Sequence, residues 1–112
     1  MKRQLHDYLV LDALSYDMED LDGILSIINS PTEIGWLAHL GRPISEGEVA
    51  LALRRCFEDA LVIPRIVSPD GRSLTDAAGG FPTGPLEGVW FELTPHGQLV
   101  IDNWEPPAPT PF

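Results

Sequence analysis

The stretch that decides the fold is ISEGEVALALRRCFEDA, residues 44–60, because it carries the clearest helix beginning in the chain. The Ser45 hydroxyl is placed to accept from the backbone N–H of Glu48, and the Glu48 side chain is placed to reach back, so the two make a capping box. Ile44 and Val49 occupy the positions of a hydrophobic staple, which fixes how the chain enters the helix. The sequence therefore predicts a helix that begins directly after Ser45.

The two faces of this predicted helix differ in composition. At helical spacing, the residues that point inward are Val49, Leu53, Cys56, Phe57 and Ala60. The residues that point largely the other way are Glu46, Gly47, Ala50, Leu51, Arg54 and Glu58. One face suits a protein core and the other combines small, apolar and charged side chains. We therefore expect the helix to pack through the first face and to recognise a partner through the second.

Three apolar segments with helical features precede it. Residues 4–15 are densely apolar and predict a broadly buried helix, with a strand over residues 8–11 as the alternative. The next helix is expected to be capped by Asp17 and to end near Asn29, with acidic residues in its first turn. A second capping box at residues 30–33 predicts a short helix, which the following Gly and Pro at positions 41 and 43 terminate.

Strand signals follow the helix of residues 44–60. Residues 61–67 are rich in branched side chains and predict a strand, in which Pro64 favours an edge or a bulged position. Residues 89–93 predict a second strand with Val89, Phe91 and Leu93 on one face. The sequence thus predicts two strands that follow the helices.

The remaining segments are predicted as turns, loops and a tail. Residues 68–88 read as a turn and a long loop, because glycine and proline are frequent there and periodicity is absent. Residues 94–97 are expected to turn the chain and residues 98–104 to form a last short element. Residues 105–112 form a proline-rich tail that favours extended polyproline geometry.

The order of these elements is typical of a winged helix-turn-helix domain. Residues 44–55 and 58–62 resemble the recognition helix of PadR-like and MarR-like transcriptional regulators and its exit into the wing. The sequence FELTPHG, residues 91–97, is similar to the returning strand of the wing and the turn that closes it. The resemblance implies an α+β fold over residues 1–104, with three to four helices followed by a two-stranded antiparallel wing. It also implies a long wing loop at about residues 68–88.

Charge weighs against the nucleic-acid function of those regulators. The net charge is −10, and five acidic residues accompany the five arginines between positions 42 and 72. A DNA-binding module normally presents a clearly basic stripe, because phosphate neutralisation supplies most of its affinity. If the resemblance carried over, the nucleic-acid contacts would be Arg42, Ser45, Arg54, Arg55, Arg65 and Arg72.

The function expected from these observations is that of an acidic winged-helix protein that acts as a regulatory protein–protein interaction module. The partner-binding residues would be Gly47, Ala50, Leu51 and Arg54. An acidic surface favours a basic protein partner. A DNA-binding transcriptional regulator of the PadR or MarR type is the alternative, and a homodimer is left open.

Catalysis, cofactors and membranes are not indicated by the sequence. The three histidines lack metal-ligand spacing to one another or to Cys56, so neither a metal site nor another cofactor site is expected, and the chain is interpreted as a non-enzyme. Apolar runs long enough to cross a bilayer are missing. A single cysteine is compatible with a reducing compartment, and a cytoplasmic location is expected.

Overall fold

The computed structural model describes residues 4–31, 35–67, 74–76, 81, 86 and 88–105. These residues form an α+β fold in which helices pack on an antiparallel sheet. The helices are α1 (Leu5–Leu14), α2 (Leu21–Ile28), α3 (Leu37–Leu40), α4 (Glu46–Glu58) and α5 (Pro95–Asp102). The strands are β1 (Glu19–Asp20), β2 (Val62–Val67), β3 (Leu74–Asp76) and β4 (Val89–Leu93). None of the helices in this described part is long and apolar enough to cross a membrane.

The N-terminal segments fold as helices, with one corrected boundary. Helix α1 settles the choice between helix and strand for residues 4–15, and Gln4 and Asp7 form a capping box at its start. Helix α2 does not begin at Asp17 as expected. It begins at Leu21, because the Asp20 carboxylate accepts from the backbone N–H of Gly23 (2.8 Å) while Glu19–Asp20 pair as a strand.

Helix α4 begins where the sequence predicts. The Ser45 hydroxyl accepts from the backbone N–H of Glu48 (3.2 Å), and Ile44 and Val49 are both buried. The expectation that Ala60 belongs to its inward face is wrong. Helix α4 ends at Glu58, and Ala60 is exposed with a φ of 61°, a left-handed conformation that turns the chain into β2.

The short helix α3 ends at Gly41, whose φ of 74° is the left-handed conformation that glycine adopts without strain. Its predicted capping box over residues 30–33 includes positions 32 and 33, which lie outside the described residues.

The sheet is larger than the two-stranded wing that the sequence predicts. The two expected strands pair antiparallel, with Ile63 opposite Glu92. Strand β1 pairs with the other side of β4, and β3 pairs with β2, so that the order is β1-β4-β2-β3. The register of β2 with β3 begins at Arg65, and Pro64 therefore lies in a part of β2 whose described partner is β4 alone. Strand β2 lies between β4 and β3, so the expectation that Pro64 places this strand at an edge is wrong for the strand as a whole.

A helix replaces the turn expected at residues 94–97. Thr94 is the N-cap of α5, and its hydroxyl accepts from the backbone N–H of Gly97 (2.9 Å). Pro95 takes the first helical position, where its missing N–H costs nothing. Residues 94–97, which by type indicate a reverse turn, therefore begin the eight-residue helix α5.

The core lies between the helices and one face of the sheet. Helix α1 packs against α2, α4 and α5, and Phe91 on β4 is fully buried behind them. Phe81 contacts both Phe57 of α4 and Phe91, with ring centroids at 5.6 and 6.1 Å. Consequently the inward side of α4 packs against the core, and its outward side faces away from it.

Candidate functional site

The outward face of helix α4 holds the four residues predicted to bind a partner. Gly47, Leu51 and Arg54 are exposed and Ala50 is half-buried. The side chain of Leu51 is the most conspicuous, because 60% of it is exposed although it is a large apolar residue. We call this surface, with Glu46 and Glu58 at its ends, the outward face of α4.

Helix α4 is held in place by polar contacts that the sequence did not predict. The Arg55 guanidinium contacts the carboxylate of Asp7 on α1 at 2.7 Å, and that carboxylate is almost fully buried. The Asn29 side chain accepts from the backbone N–H of Ile44 (2.7 Å) and donates to its carbonyl (3.0 Å). Asn29 thus ties the end of α2 to the residue before the N-cap of α4. Tertiary folding joins residues far apart in sequence here, so local periodicity carries no signal for either contact.

The arginines proposed for nucleic-acid contact are neutralised wherever the structure describes them. Arg42 contacts Glu48 at 3.1 Å and Arg54 contacts Glu58 at 3.3 Å. The remaining pairs are Arg55 with Asp7 and Arg65 with Glu92, both at 2.7 Å. Arg72 lies outside the described residues. Ser45, also proposed, uses its hydroxyl to cap α4.

The start of α4 concentrates charged groups around Glu48. The Arg42 guanidinium donates to both carboxylate oxygens of Glu48 at 3.1 and 3.3 Å, and His6 lies 3.4 Å from one of them. The hydrogen bonds from Arg42 lower the pKa of Glu48 from its usual value, with smaller contributions from the Ser45 hydroxyl and from His6. Glu48 therefore holds Arg42 in place beside the outward face.

A pocket with acidic walls opens beside the same helix end. Its volume is about 260 Å³, and its polar lining comes from Asp20, Asp22 and Glu46. Leu21, Leu86 and Gly88 complete the lining. Because Glu46 belongs to both, the pocket continues the outward face of α4 towards the start of α2.

Carboxylates are crowded next to this pocket. The pKa of Glu19 is raised above its usual value, chiefly because the group is partly desolvated and further because Asp17 and Asp20 lie nearby. The sequence predicts that the acidic residues of this segment lie in the first turn of a helix capped by Asp17. The structure instead places Glu19 and Asp20 in a strand, with Asp20 also capping α2.

The end of α4 is fixed by the segment LTPHG. The Thr94 hydroxyl donates to the carbonyl of Ala60 (2.6 Å), and the Thr94 backbone N–H donates to the carbonyl of Leu61 (3.0 Å). A Cβ at Gly97 would collide with the same Leu61 carbonyl, so only glycine permits this approach. The segment resembling the closing turn of a wing therefore docks α5 against the exit of α4.

Other residues considered for chemistry have structural contacts. Cys56 is buried, and its thiol lies 3.8 Å from the carbonyl of Asp7. The tryptophans at positions 36, 90 and 104 are each half-buried. In the part of the chain that the structure describes, histidine, cysteine and carboxylate side chains form no group of three that could hold a metal ion.

Comparison of the chain with protein-family models, with curated proteins and with solved structures found no significant match.

Proposed function

We propose that this chain is an acidic winged-helix domain that acts in regulation by binding a protein partner through the outward face of α4. The observation that carries the proposal is the exposure of Leu51 in the middle of that face, beside a pocket with three carboxylates. A large apolar side chain that is exposed next to the small residues Gly47 and Ala50 is the kind of anchor that a protein partner covers.

The winged-helix part of the proposal is supported by the order and pairing of the elements. Helices α1, α2 and α4 pack on one another, and the chain leaves α4 directly into β2. Strand β4 returns antiparallel to β2, which is the hairpin expected of a wing. Strands β1 and β3 are additions to the plan expected from the sequence, and α5 takes the place of the expected turn and last short element. Fold alone does not decide the partner, so the function is argued from the face itself.

The chemistry of the partner follows from the charges around Leu51. The chain has a net charge of −10, and each arginine described in the structure already contacts a carboxylate. Asp20, Asp22 and Glu46 line the neighbouring pocket. A protein segment with an apolar side chain flanked by lysine or arginine would complement this surface both in hydrophobicity and in charge.

DNA binding is disfavoured by the same contacts. A phosphate approaching the outward face of α4 would meet Glu46 and Glu58, and Arg54 would have to leave Glu58 to bind it. Counter-ion release by free cations drives DNA association, and here the cations in the described part are already compensated within the chain.

The first test measures binding to random-sequence duplex DNA at low salt. We expect the full chain to show no salt-dependent binding in a fluorescence-anisotropy titration. Tight binding that weakens as salt is added would contradict the proposal and would support the alternative function of a DNA-binding transcriptional regulator.

The second test compares two equally exposed leucines on different elements. Leu51 on α4 is 60% exposed and Leu99 on α5 is 61% exposed, so an aspartate at either position should leave the fold intact. We expect Leu51→Asp to abolish capture of proteins that the unchanged chain retains from a lysate of its host. Leu99→Asp, the matched control, should keep the same proteins bound at the α4 face.

The partner retained in that test should be released by moderate salt, because charge complementarity contributes to its binding. Retention of the same proteins by the Leu51→Asp variant would show that the outward face of α4 is not the binding surface.

A further inference from the structure

The charged residues on and just before the outward face of α4 are arranged antisymmetrically about its middle. Glu46 lies four residues before Ala50, and Arg54 lies four residues after it. Arg42 lies eight residues before Ala50, and Glu58 lies eight residues after it. Each charge is therefore matched, at the same separation on the other side of Ala50, by a charge of opposite sign.

These charged groups are accessible at the surface. Glu46 and Glu58 are exposed, and the side chains of Arg42 and Arg54 are each 62% exposed. Although Arg42 precedes the helix, its guanidinium contacts Glu48 in the first turn at 3.1 Å. The row of charges therefore extends from the beginning of α4 to its last residue.

The ion pairs within the chain leave capacity for a second carboxylate. Arg54 donates to Glu58 through Nε at 3.3 Å, and a guanidinium has two further nitrogens that can donate. Within the part of the chain that the structure describes, Glu46 has no basic side chain in contact. An exposed ion pair contributes little to stability, so Arg54 can bind a second carboxylate without a large loss.

The centre of the row is apolar. Leu51 is 60% exposed, and its neighbours on the face, Gly47 and Ala50, are small. Helices pack closely when a protruding side chain of one fits beside small residues of the other. The middle of the outward face therefore offers both a protruding side chain and a shallow site that can receive one.

A second copy of the same helix in antiparallel orientation fits both features. Turning the row of charges end to end places Glu46 of each copy beside Arg54 of the other. It likewise places Arg42 beside Glu58, and it brings Leu51 of each copy against the small residues of the other. The opposite ends of the two helix dipoles also become neighbours. A parallel copy would instead bring each charged residue next to its own counterpart, so that like charges meet.

We propose that the outward face of α4 pairs antiparallel with the same face of a second copy, about a twofold axis beside Ala50. This pairing covers Leu51 until a partner displaces the second copy. It is isologous, because each copy contributes the same residues. Its role in regulating partner binding rests on the function proposed above, whereas the pairing itself does not.

The pairing is expected to be weak. One face of a 13-residue helix offers less area than the about 800 Å² per partner of a standard stable interface. Two copies that each carry a net charge of −10 also repel each other. Low affinity suits the regulatory role, because a partner can then displace the second copy.

The first experiment measures the monomer–dimer equilibrium of the full chain by sedimentation equilibrium. We expect the unchanged chain to dimerise with a dissociation constant below about 1 mM. Glu46→Arg and Arg54→Glu each make attractive contacts of the dimer repulsive, and each should raise that constant at least about tenfold. The matched control is Asp102→Arg on α5, which changes the net charge as Glu46→Arg does and should dimerise at least as well as the unchanged chain.

Mixing the two charge variants gives a sharper result. In a mixed pair, the arginine introduced at position 46 faces the glutamate introduced at position 54, and the unchanged Arg54 faces the unchanged Glu46. We expect heterodimers at concentrations where each variant alone is monomeric. The double variant, Glu46→Arg with Arg54→Glu, should regain the homodimer. Circular dichroism of each variant checks that the fold is retained.

The register of the two helices is tested with introduced cysteines. In an antiparallel twofold pair, only residues near the axis meet their own counterpart. Ala50→Cys should therefore form disulfide-linked dimers when diamide is added, whereas Glu58→Cys should not. The native Cys56 is buried and should not react. Cross-linking of both variants would indicate a parallel pair and would overturn the proposal.

The disulfide-linked dimer of Ala50→Cys also tests the regulation. Because Leu51 stays covered in it, we expect it to capture none of the proteins that the unchanged chain retains from a lysate of its host. Reduction of the disulfide should restore capture. Capture of the same proteins by the linked dimer would contradict the regulatory role.

The outcomes separate this proposal from the proposed function. An unchanged chain that stays monomeric up to about 1 mM would overturn the pairing, even if Leu51→Asp abolishes capture as the proposed function requires. Equal dimerisation of the unchanged chain and of both charge variants would assign the dimer to another surface. A dimer that responds to the variants as expected, in a chain that captures no protein, would support the pairing and contradict the proposed function alone.

Discussion

The two sides of helix α4 carry similar residue types that differ in burial and in contacts. Leu53 is fully buried and Leu51 is 60% exposed, although they are two positions apart. Arg55 contacts the buried carboxylate of Asp7, whereas its neighbour Arg54 contacts Glu58 on the surface. The difference is set by what α1 and the sheet place against each position. The inward side of α4 therefore determines stability, and the outward side remains available for binding.

The largest expected effect compares the two leucines. Leu53→Ala removes a fully buried side chain and should lower the free energy of unfolding by about 2–5 kcal/mol. Leu51→Ala should change it by no more than about 0.5 kcal/mol, because that side chain is mostly in solvent. Urea unfolding followed by circular dichroism measures both. Equal losses of unfolding free energy in the two variants would contradict the distinction between the inward and outward faces.

The two arginines give the next contrast. Arg55→Ala leaves the Asp7 carboxylate buried without its guanidinium partner and should cost about 2 kcal/mol, less than for a fully buried pair because Arg55 is partly exposed. Arg54→Ala breaks an exposed pair spaced by four residues on the helix, which should cost under about 0.5 kcal/mol. The same unfolding measurement applies. A cost for Arg54→Ala as large as that for Arg55→Ala would mean that the outward face also stabilises the fold.

Two glycines extend the comparison to the backbone. Gly97→Ala should destabilise the protein by about 1–3 kcal/mol, because its Cβ would collide with the Leu61 carbonyl just beyond the end of α4. Among the described residues, a Cβ at Gly47 would meet Ser45 Oγ alone, at 4.0 Å, and Gly47→Ala should stabilise the helix by up to about 1 kcal/mol. Thermal unfolding of the two variants should therefore shift in opposite directions.

The smallest expected effects come from two carboxylates with opposite pKa shifts. Burial raises the pKa of Asp12, although the Trp36 indole opposes this in part, so ionisation of Asp12 lowers stability as the pH rises through its folded pKa. Asp12→Asn should therefore stabilise the chain slightly near neutral pH and have a vanishing effect below the ordinary carboxyl pKa of 3.8.

Glu48 should behave in the opposite way. Its pKa is lowered by Arg42, so its contribution is present above the ordinary value of 4.5 and is lost as the pH falls through the folded pKa. Glu48→Gln should destabilise the chain slightly near neutral pH, and the difference should disappear in acid. Unfolding midpoints measured between acidic and neutral pH for the two variants test these signs. If both variants differed in stability from the unchanged chain with the same sign near neutral pH, the causes assigned to the two pKa shifts would be contradicted.

Much of the helical content could be predicted from the sequence because its signals are local. Ser45 and Ile44 determine where α4 begins, and Gly41 ends α3 through a conformation that few other residues adopt. Local signals did not identify a helix start where two residues of the same type can each cap the helix. Asp17 and Asp20 are equally good caps by residue type, and only the pairing of β1 with β4 selects Asp20.

The sequence predicted which side chains lie on the outward face of α4, but it did not predict which ion pairs the arginines form. Helical periodicity was sufficient to place Leu51 outward. The pairing of Arg55 with Asp7, and of Arg65 with Glu92, joins residues 48 and 27 positions apart, which periodicity within one element cannot reveal. The pocket beside α4 likewise draws its walls from β1, α2, α4 and the segment before β4.

The sequence by itself determined helix α4, its N-cap and the acidic charge, because these depend on neighbouring residues and on composition. The tertiary structure alone decided which arginines are neutralised, which of the two leucines on α4 is buried and how β1 and β3 extend the sheet. The physical reason is that burial, ion pairing and strand pairing depend on distances in space, and folding brings together residues that are distant along the chain.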